Sequence, residues 1–184
     1  VTGNGDGMSM KCFAAIDFET ADHGHDSACA IGIVRIERGE ITDKSHYLIR
    51  PPRRDFVFTH VHGLTWEDVQ DAPTFARLWP ELLKKFRGAD YFAAHNKGFD
   101  RAVLRACCKM AGVEMPKAPF VCTVQASRNL LNIRPASLDN VCRVLNIRLN
   151  HHDALSDSNA CAEILLRAGQ EDSAAFEEML SGLE

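Results

Sequence analysis

The side chains best placed to do chemistry sit in three short segments. These are Asp17 and Glu19 in Ile-Asp-Phe-Glu-Thr, Asp100 in His-Asn-Lys-Gly-Phe-Asp, and His152 with Asp157 in His-Asp-Ala-Leu-Ser-Asp. Acids that converge in a fold repel one another unless a divalent cation or a shared proton offsets the charge. A histidine beside them can stay neutral near pH 7 and take a proton from water. Together they have the parts for metal-dependent hydrolysis of a phosphodiester.

Each piece alone also has an ordinary structural explanation. Asp17 and Glu19, two apart on a strand, share one face and can offer two oxygens to a hard cation such as Mg²⁺ or Mn²⁺. A strand end turning into solvent carries acids as well. Asp100 opens a helix, where a carboxylate answers free backbone N–H groups. Asp157 lies about one turn into another helix and His152 just before it, with Asp153 as the local cap and His151 as a competing base. Two His-x-His pairs, His23/His25 and His60/His62, raise zinc as a rival, but neither has a cysteine or third histidine at ligand spacing.

The elements that must position these groups follow from periodicity and punctuation. Lys11–Glu19 reads as a strand that begins apolar and ends in carboxylates. Ala28–Glu37 is apolar and β-branched, and a turn at Arg38-Gly39-Glu40 returns the chain as a third strand, Ile41–Arg50, stopped by Pro51-Pro52. Thr65 caps a short helix with Asp68 as its capping-box partner, and Thr74 starts a helix that ends at Gly88. Tyr91–Ala94 and Phe120–Val124 are further strands, with a helix over Asp100–Ala111 between them. Helices near Gln125–Leu131, Leu138–Leu145, Ala154–Ala168 and Ser173–Leu180 complete a mixed α/β sheet flanked by helices.

A chain of 184 residues, 46% hydrophobic and 25% charged, is most simply one domain with a real core. Residues 1–10, with three glycines in the first seven and no initial Met, read as a disordered expression scar, and residues 11–184 as the single domain. No apolar run approaches the ~20 residues of a membrane span. Seven cysteines without a C-x-x-C pair, most among apolar neighbours, read as reduced buried thiols of a cytoplasmic protein. The net charge of −4 argues against extensive duplex binding and allows a small footprint on a strand end, helped by Arg50, Arg53, Arg54, Lys97, Arg101 and Arg105.

Order and spacing decide among these readings. Asp-x-Glu-Thr early, His-Asn-x-x-Phe-Asp mid-chain and His-x-x-x-x-Asp late resemble the DEDDh (DnaQ-like) 3′→5′ exonuclease family, over about residues 11–168. That family includes the proofreading subunit of DNA polymerase III (its epsilon-type subunit) and exonuclease X. His62-Gly63-Leu64-Thr65 also resembles a His-Gly-Ile-Thr turn of the family. The tyrosine branch places Tyr where this chain has Asp153, so the histidine branch fits.

The resemblance implies a ribonuclease H-like fold: a five-stranded mixed sheet with an antiparallel second strand and flanking helices. It implies two divalent cations, Mg²⁺ or Mn²⁺, held by Asp17, Glu19, Asp100 and Asp157, with His152 as general base on the attacking water. The Thr20 backbone would meet the 3′-hydroxyl, with Phe99 and His62 beside the terminal base and sugar. The implied partner is a single-stranded nucleic-acid 3′ end, DNA ahead of RNA, digested to nucleoside 5′-monophosphates, with a DNA polymerase as a further partner. The rivals are an RNA 3′-end trimmer, an inactive binding or polymerase-associated module, and a structural metal-binding domain.

Overall fold

β1 (Cys12–Thr20) is the middle strand of the sheet, and its alternation sorts the core into two layers. The computed structural model describes residues 11–183; the expectation of disorder over residues 1–10 lies outside them. Ala14, Ile16 and Phe18 face one side, while Phe13 and Ala15 face the other, all buried, as a strand covered on both faces requires. β2 (Ala28–Glu37) runs antiparallel to β1, and β3 (Glu40–Leu48) antiparallel to β2. Arg38 and Gly39 join them at φ 56° and 75°, the positive pair that a tight hairpin needs. β4 (Tyr91–Ala94) lies parallel to β1, and β5 (Phe120–Cys122) parallel to β4, giving the order β3-β2-β1-β4-β5. This is the expected five-stranded mixed sheet, with its second strand reversed.

The helices are α1 (Thr59–His62), α2 (Trp66–Val69), α3 (Phe75–Phe86), α4 (Lys97–Ala111), α5 (Thr123–Asn129), α6 (Leu138–Leu145), α7 (Ala154–Glu171) and α8 (Ser173–Ser181). α3 and α4 cover one face through Phe75, Leu82, Phe86, Val103 and Leu104. α7 and α8 cover the other through Cys161, Leu165, Phe176 and Leu180, and α6 packs on the outside of α7. Among the described residues no helix is long and apolar enough to cross a membrane. All seven cysteines are free, and six of them are buried.

Three of the differences from the sequence reading have a local reason. Phe120–Val124 looks like a continuous strand, but the chain enters α5 at Thr123 once β5 has made its pairs with β4. α1 carries no side-chain cap and only four residues, so nothing in its pattern announces a helix. α4 starts at Lys97 behind Asn96, whose backbone is left-handed, so Asp100 lies inside the first turn rather than at the cap.

Candidate active site

Asp17 and Glu19 continue the Phe13–Ala15 face of β1 to its C-terminal end, where the core side chains stop and a cavity of about 720 Å³ opens. A register shift between Glu19 and Thr20 bends the strand at this point. α7 reaches the same place from the opposite side. Asp153 caps it by accepting from the Ser156 N–H at 2.8 Å, and Asp157, buried in its first turn, meets the two β1 acids.

That meeting depends on Gly32, the β2 partner of Asp17 in the pairing. A Cβ on Gly32 would lie 2.0 Å from the Ala154 carbonyl oxygen and 2.6 Å from Ser158 Oγ. Only a bare backbone lets the start of α7 settle onto the sheet. The sequence signal was a glycine inside an apolar strand, the mark of a close approach.

The ligand oxygens of Asp17, Glu19 and Asp157 lie within 4.8 Å of one another. Burial, and then the charges of Asp100, Asp157 and Glu19, push the Asp17 carboxyl well above its usual range. Burial, with Asp157 and Asp100 behind it, pushes Glu19 up to about 8. Asp157 is raised chiefly by burial, and its Oδ1 is buried with no hydrogen-bond partner among the described residues. Three crowded carboxylates and an unpartnered oxygen fit a hard divalent cation, which offsets this repulsion through oxygen donors.

Asp100 stands behind this trio. Its Oδ1 accepts the Phe18 N–H at 3.0 Å, from the β1 residue between the two acids, and the side chain is buried. It therefore ties α4 to the strand that carries Asp17 and Glu19. Burial is the first cause of its raised pKa.

His152 adjoins Asp157 through its own backbone, whose N–H donates to Asp157 Oδ2 at 3.0 Å. Its φ of 67° is left-handed, and its ring stacks on His151 at 3.9 Å between centroids. Burial first, then His151 and His62, lowers its pKa, which keeps the imidazole neutral near pH 7. His151 also stays close, with Nε2 3.8 Å from Asp157 Oδ2. Both rings line the cavity.

Of the residues expected at the substrate, Phe99 lines the cavity and is 39% exposed, with His25 edge-on to its ring at 6.0 Å. Thr20 and His62 are bonded to each other at the end of β1. Leu64 N–H donates to His62 Nδ1, so Nε2 carries the proton and donates to the Thr20 carbonyl at 3.1 Å. His62 thus braces the backbone just after Glu19. Neither His-x-His pair falls within a metal-capable cluster among the described residues.

The sequence reading missed part of the wall. His95 lines the cavity, with Nε2 donating to the Ala136 carbonyl at 3.0 Å and Nδ1 accepting from the Thr123 hydroxyl at 2.9 Å. Burial pushes it down to about 4, so it stays neutral and pins the segment around Ala136 to the sheet. Arg128 brings a guanidinium to the same wall from α5. His95 sat in plain view within the His-Asn turn, whereas nothing in the local pattern of Arg128 distinguishes it from a surface arginine.

A model of the exonuclease family (RNase_T) matches residues 14–165. The chain is 33% identical over 160 residues to the PolC-type DNA polymerase III of Thermotoga maritima, covering 84% of this chain and 12% of that polymerase. It is 30% identical over 156 residues to DNA polymerase III subunit epsilon of Escherichia coli, covering 79% of this chain and 64% of that subunit. The structure of exonuclease X in complex with 5′ overhanging duplex DNA superposes with a TM-score of 0.72 at 22% identity, over 95% of this chain and all of that one.

Proposed function

The chain belongs to the DnaQ-like, DEDDh-type 3′→5′ exonuclease family, and from that premise we propose that its cavity removes nucleotides from the 3′ end of single-stranded DNA in a divalent-cation-dependent reaction. The observation that carries this reading is the convergence of Asp17, Glu19 and Asp157, with ligand oxygens within 4.8 Å, beside a neutral histidine. The family model, spanning residues 14–165, supports the assignment of this cavity to hydrolysis.

Asp17, Glu19, Asp100 and Asp157 would hold two divalent cations, Mg²⁺ or Mn²⁺, the trio of Asp17, Glu19 and Asp157 offering the closest set of oxygens. Such ions supply charge neutralisation at the phosphoryl group and a more acidic water. His152 takes the proton from the attacking water, since its lowered pKa leaves an acceptor nitrogen at neutral pH. Attack on phosphorus releases the 3′-oxygen of the preceding nucleotide and leaves a nucleoside 5′-monophosphate. Asp157 positions the base as well, because its Oδ2 accepts the His152 backbone N–H. Phe99 supplies an exposed ring for the terminal base, and stacking of this kind tolerates any base. The Thr20 backbone would meet the 3′-hydroxyl and His62 would flank the terminal base and sugar, and the bond between them holds the strand end that carries Glu19 in place.

DNA is favoured over RNA because the relatives are DNA polymerases and a polymerase subunit. A DNA polymerase as partner and a cytoplasmic setting are part of the same proposal. The test is matched DNA and RNA strands, each labelled at the 5′ end, incubated with and without Mg²⁺. Faster Mg²⁺-dependent shortening of DNA is expected; faster loss of RNA would replace the proposal with an RNA 3′-end trimmer.

A further inference from the structure

The exposed face of α4 carries Lys97, Arg101, Arg105 and Lys109, one basic residue every fourth position. The single acid in the helix, Asp100, is buried against β1. Arg101, Arg105 and Lys109 are exposed and form no ion pair among the described residues, and Lys97 Nζ donates only to the Phe120 carbonyl at 2.8 Å.

Several cations elsewhere are ion-paired. Lys84 meets Glu81, Lys85 meets Asp43, and Arg53 meets both Asp22 and Asp26. Like charges four apart on a helix repel, costing each neighbouring pair about 0.2–0.5 kcal/mol. On a protein of net charge −4, an unpaired row of this kind is a local line of positive charge. The stripe begins next to the cavity in sequence, since Asn96 and Phe99 at the head of α4 are part of the cavity wall, while Lys97 and Arg101 themselves line a second pocket together with Lys117.

We propose that this stripe is a track for the strand whose 3′ end occupies the cavity, neutralising phosphates of the nucleotides 5′ to the one removed. The inference rests on the exonuclease reading of the cavity. At about 1.5 Å rise per residue the stripe is ~18 Å long, the span of roughly five nucleotides at ~3.4 Å each. The contacts are to phosphates and carry no sequence information, as suits a digesting enzyme. Binding should therefore strengthen with strand length up to about five nucleotides beyond the terminal one and then level off.

The test compares the full chain with its Arg101→Gln, Arg105→Gln, Lys109→Gln triple variant, both carrying Asp17→Asn so that the strand is not consumed. Binding of fluorescent oligothymidylates of 3 and 12 nucleotides is followed by anisotropy from 50 to 200 mM NaCl. The 12-mer should bind the triple variant roughly tenfold more weakly at low salt, with a log–log salt slope shallower by about 2, while the 3-mer is unaffected. A variant with Arg101→Lys and Arg105→Lys should keep the original slope, since charge alone is used. Equal slopes and equal length dependence in the full chain and the triple variant would overturn the track. Hydrolysis of the p-nitrophenyl ester of thymidine 5′-monophosphate, with Asp17 intact, reads the cavity alone and should be the same with and without the three glutamines. Loss of ester hydrolysis in both would count against the cavity reading and leave the salt slopes to judge the stripe.

Discussion

Residue by residue, the site holds groups that suit a reaction better than they suit folding. Asp17, Glu19, Asp100 and Asp157 all have pKa values raised by burial. A carboxylate raised above its unfolded value loses stability as pH rises, because its ionised form is the disfavoured one. Asp17→Asn should therefore abolish cation-dependent hydrolysis and yet raise the melting temperature in EDTA at pH 7. The gain should be on the order of 1–2 kcal/mol, at about 2–4 °C per kcal/mol. Mg²⁺ should raise the melting temperature of the unsubstituted chain and much less that of the variant, by mass action on the folded state. An unchanged or lower melting temperature in EDTA would contradict the crowding argument. His152 is best probed with His152→Asn, since Asn accepts its positive φ and removes the base without straining the loop. Turnover should fall about 10²–10⁴-fold with little change in melting temperature. If His152→Asn keeps full activity, the stacked His151 becomes the base to test.

At the scale of elements, the catalytic groups are brought together by α7 lying against β2 and by the loop after β1. Gly32→Ala places a methyl against the Ala154 carbonyl and Ser158. It should cost about 1–3 kcal/mol and lower activity by withdrawing Asp157 from Asp17, which a denaturant melt and a rate measurement together would show. The loop over residues 22–27 is clasped by Arg53, whose Nε reaches Asp22 at 2.8 Å and whose Nη2 reaches Asp26 at 2.6 Å. Hydrogen bonds from Arg53 hold both carboxyls below their usual range. A lowered carboxylate stabilises the fold above its unfolded value, near 4, and loses that contribution as pH falls through the lowered value. Arg53→Met should thus melt about 2–4 °C lower than the unsubstituted chain at pH 7, from partly exposed pairs together worth about 1 kcal/mol, and the gap should narrow progressively as pH falls below about 4. A gap that stayed constant with pH would assign the loss to packing instead. The strands, α3 and the long helices were legible because alternation, helical periodicity and the caps Thr74 and Asp153 are local signals. α1 and the early end of β5 were not, because a one-turn helix without a cap and a strand of three residues have no periodicity to read.

Across the whole molecule, the site is a set of contacts between distant parts of the sequence, and that decides how much of it could be read. The order of the motifs and a family resemblance bring Asp17, Glu19, Asp100, His152 and Asp157 into one neighbourhood, and the structure places Asp17, Glu19, His152 and Asp157 on one cavity with Asp100 buried behind them. What spacing could not supply was the division of labour. Asp100 bonds the backbone of Phe18, His62 braces Thr20, and His95 pins the wall at Ala136, all through partners at least 41 residues away. The distribution of charge is likewise a property of the assembled molecule: acids gather at the C-terminal end of β1 while α4 keeps its basic stripe. The central claim is that this cavity removes nucleotides from a 3′ end with a bound cation. Its most direct test is a single turnover on single-stranded DNA labelled at the 3′-terminal nucleotide, with Mg²⁺ and with EDTA. The account predicts that the label leaves first and as a nucleoside 5′-monophosphate, only with Mg²⁺, and not from the Asp17→Asn protein. Label retained in the strand, or released equally in EDTA or by Asp17→Asn, would contradict it.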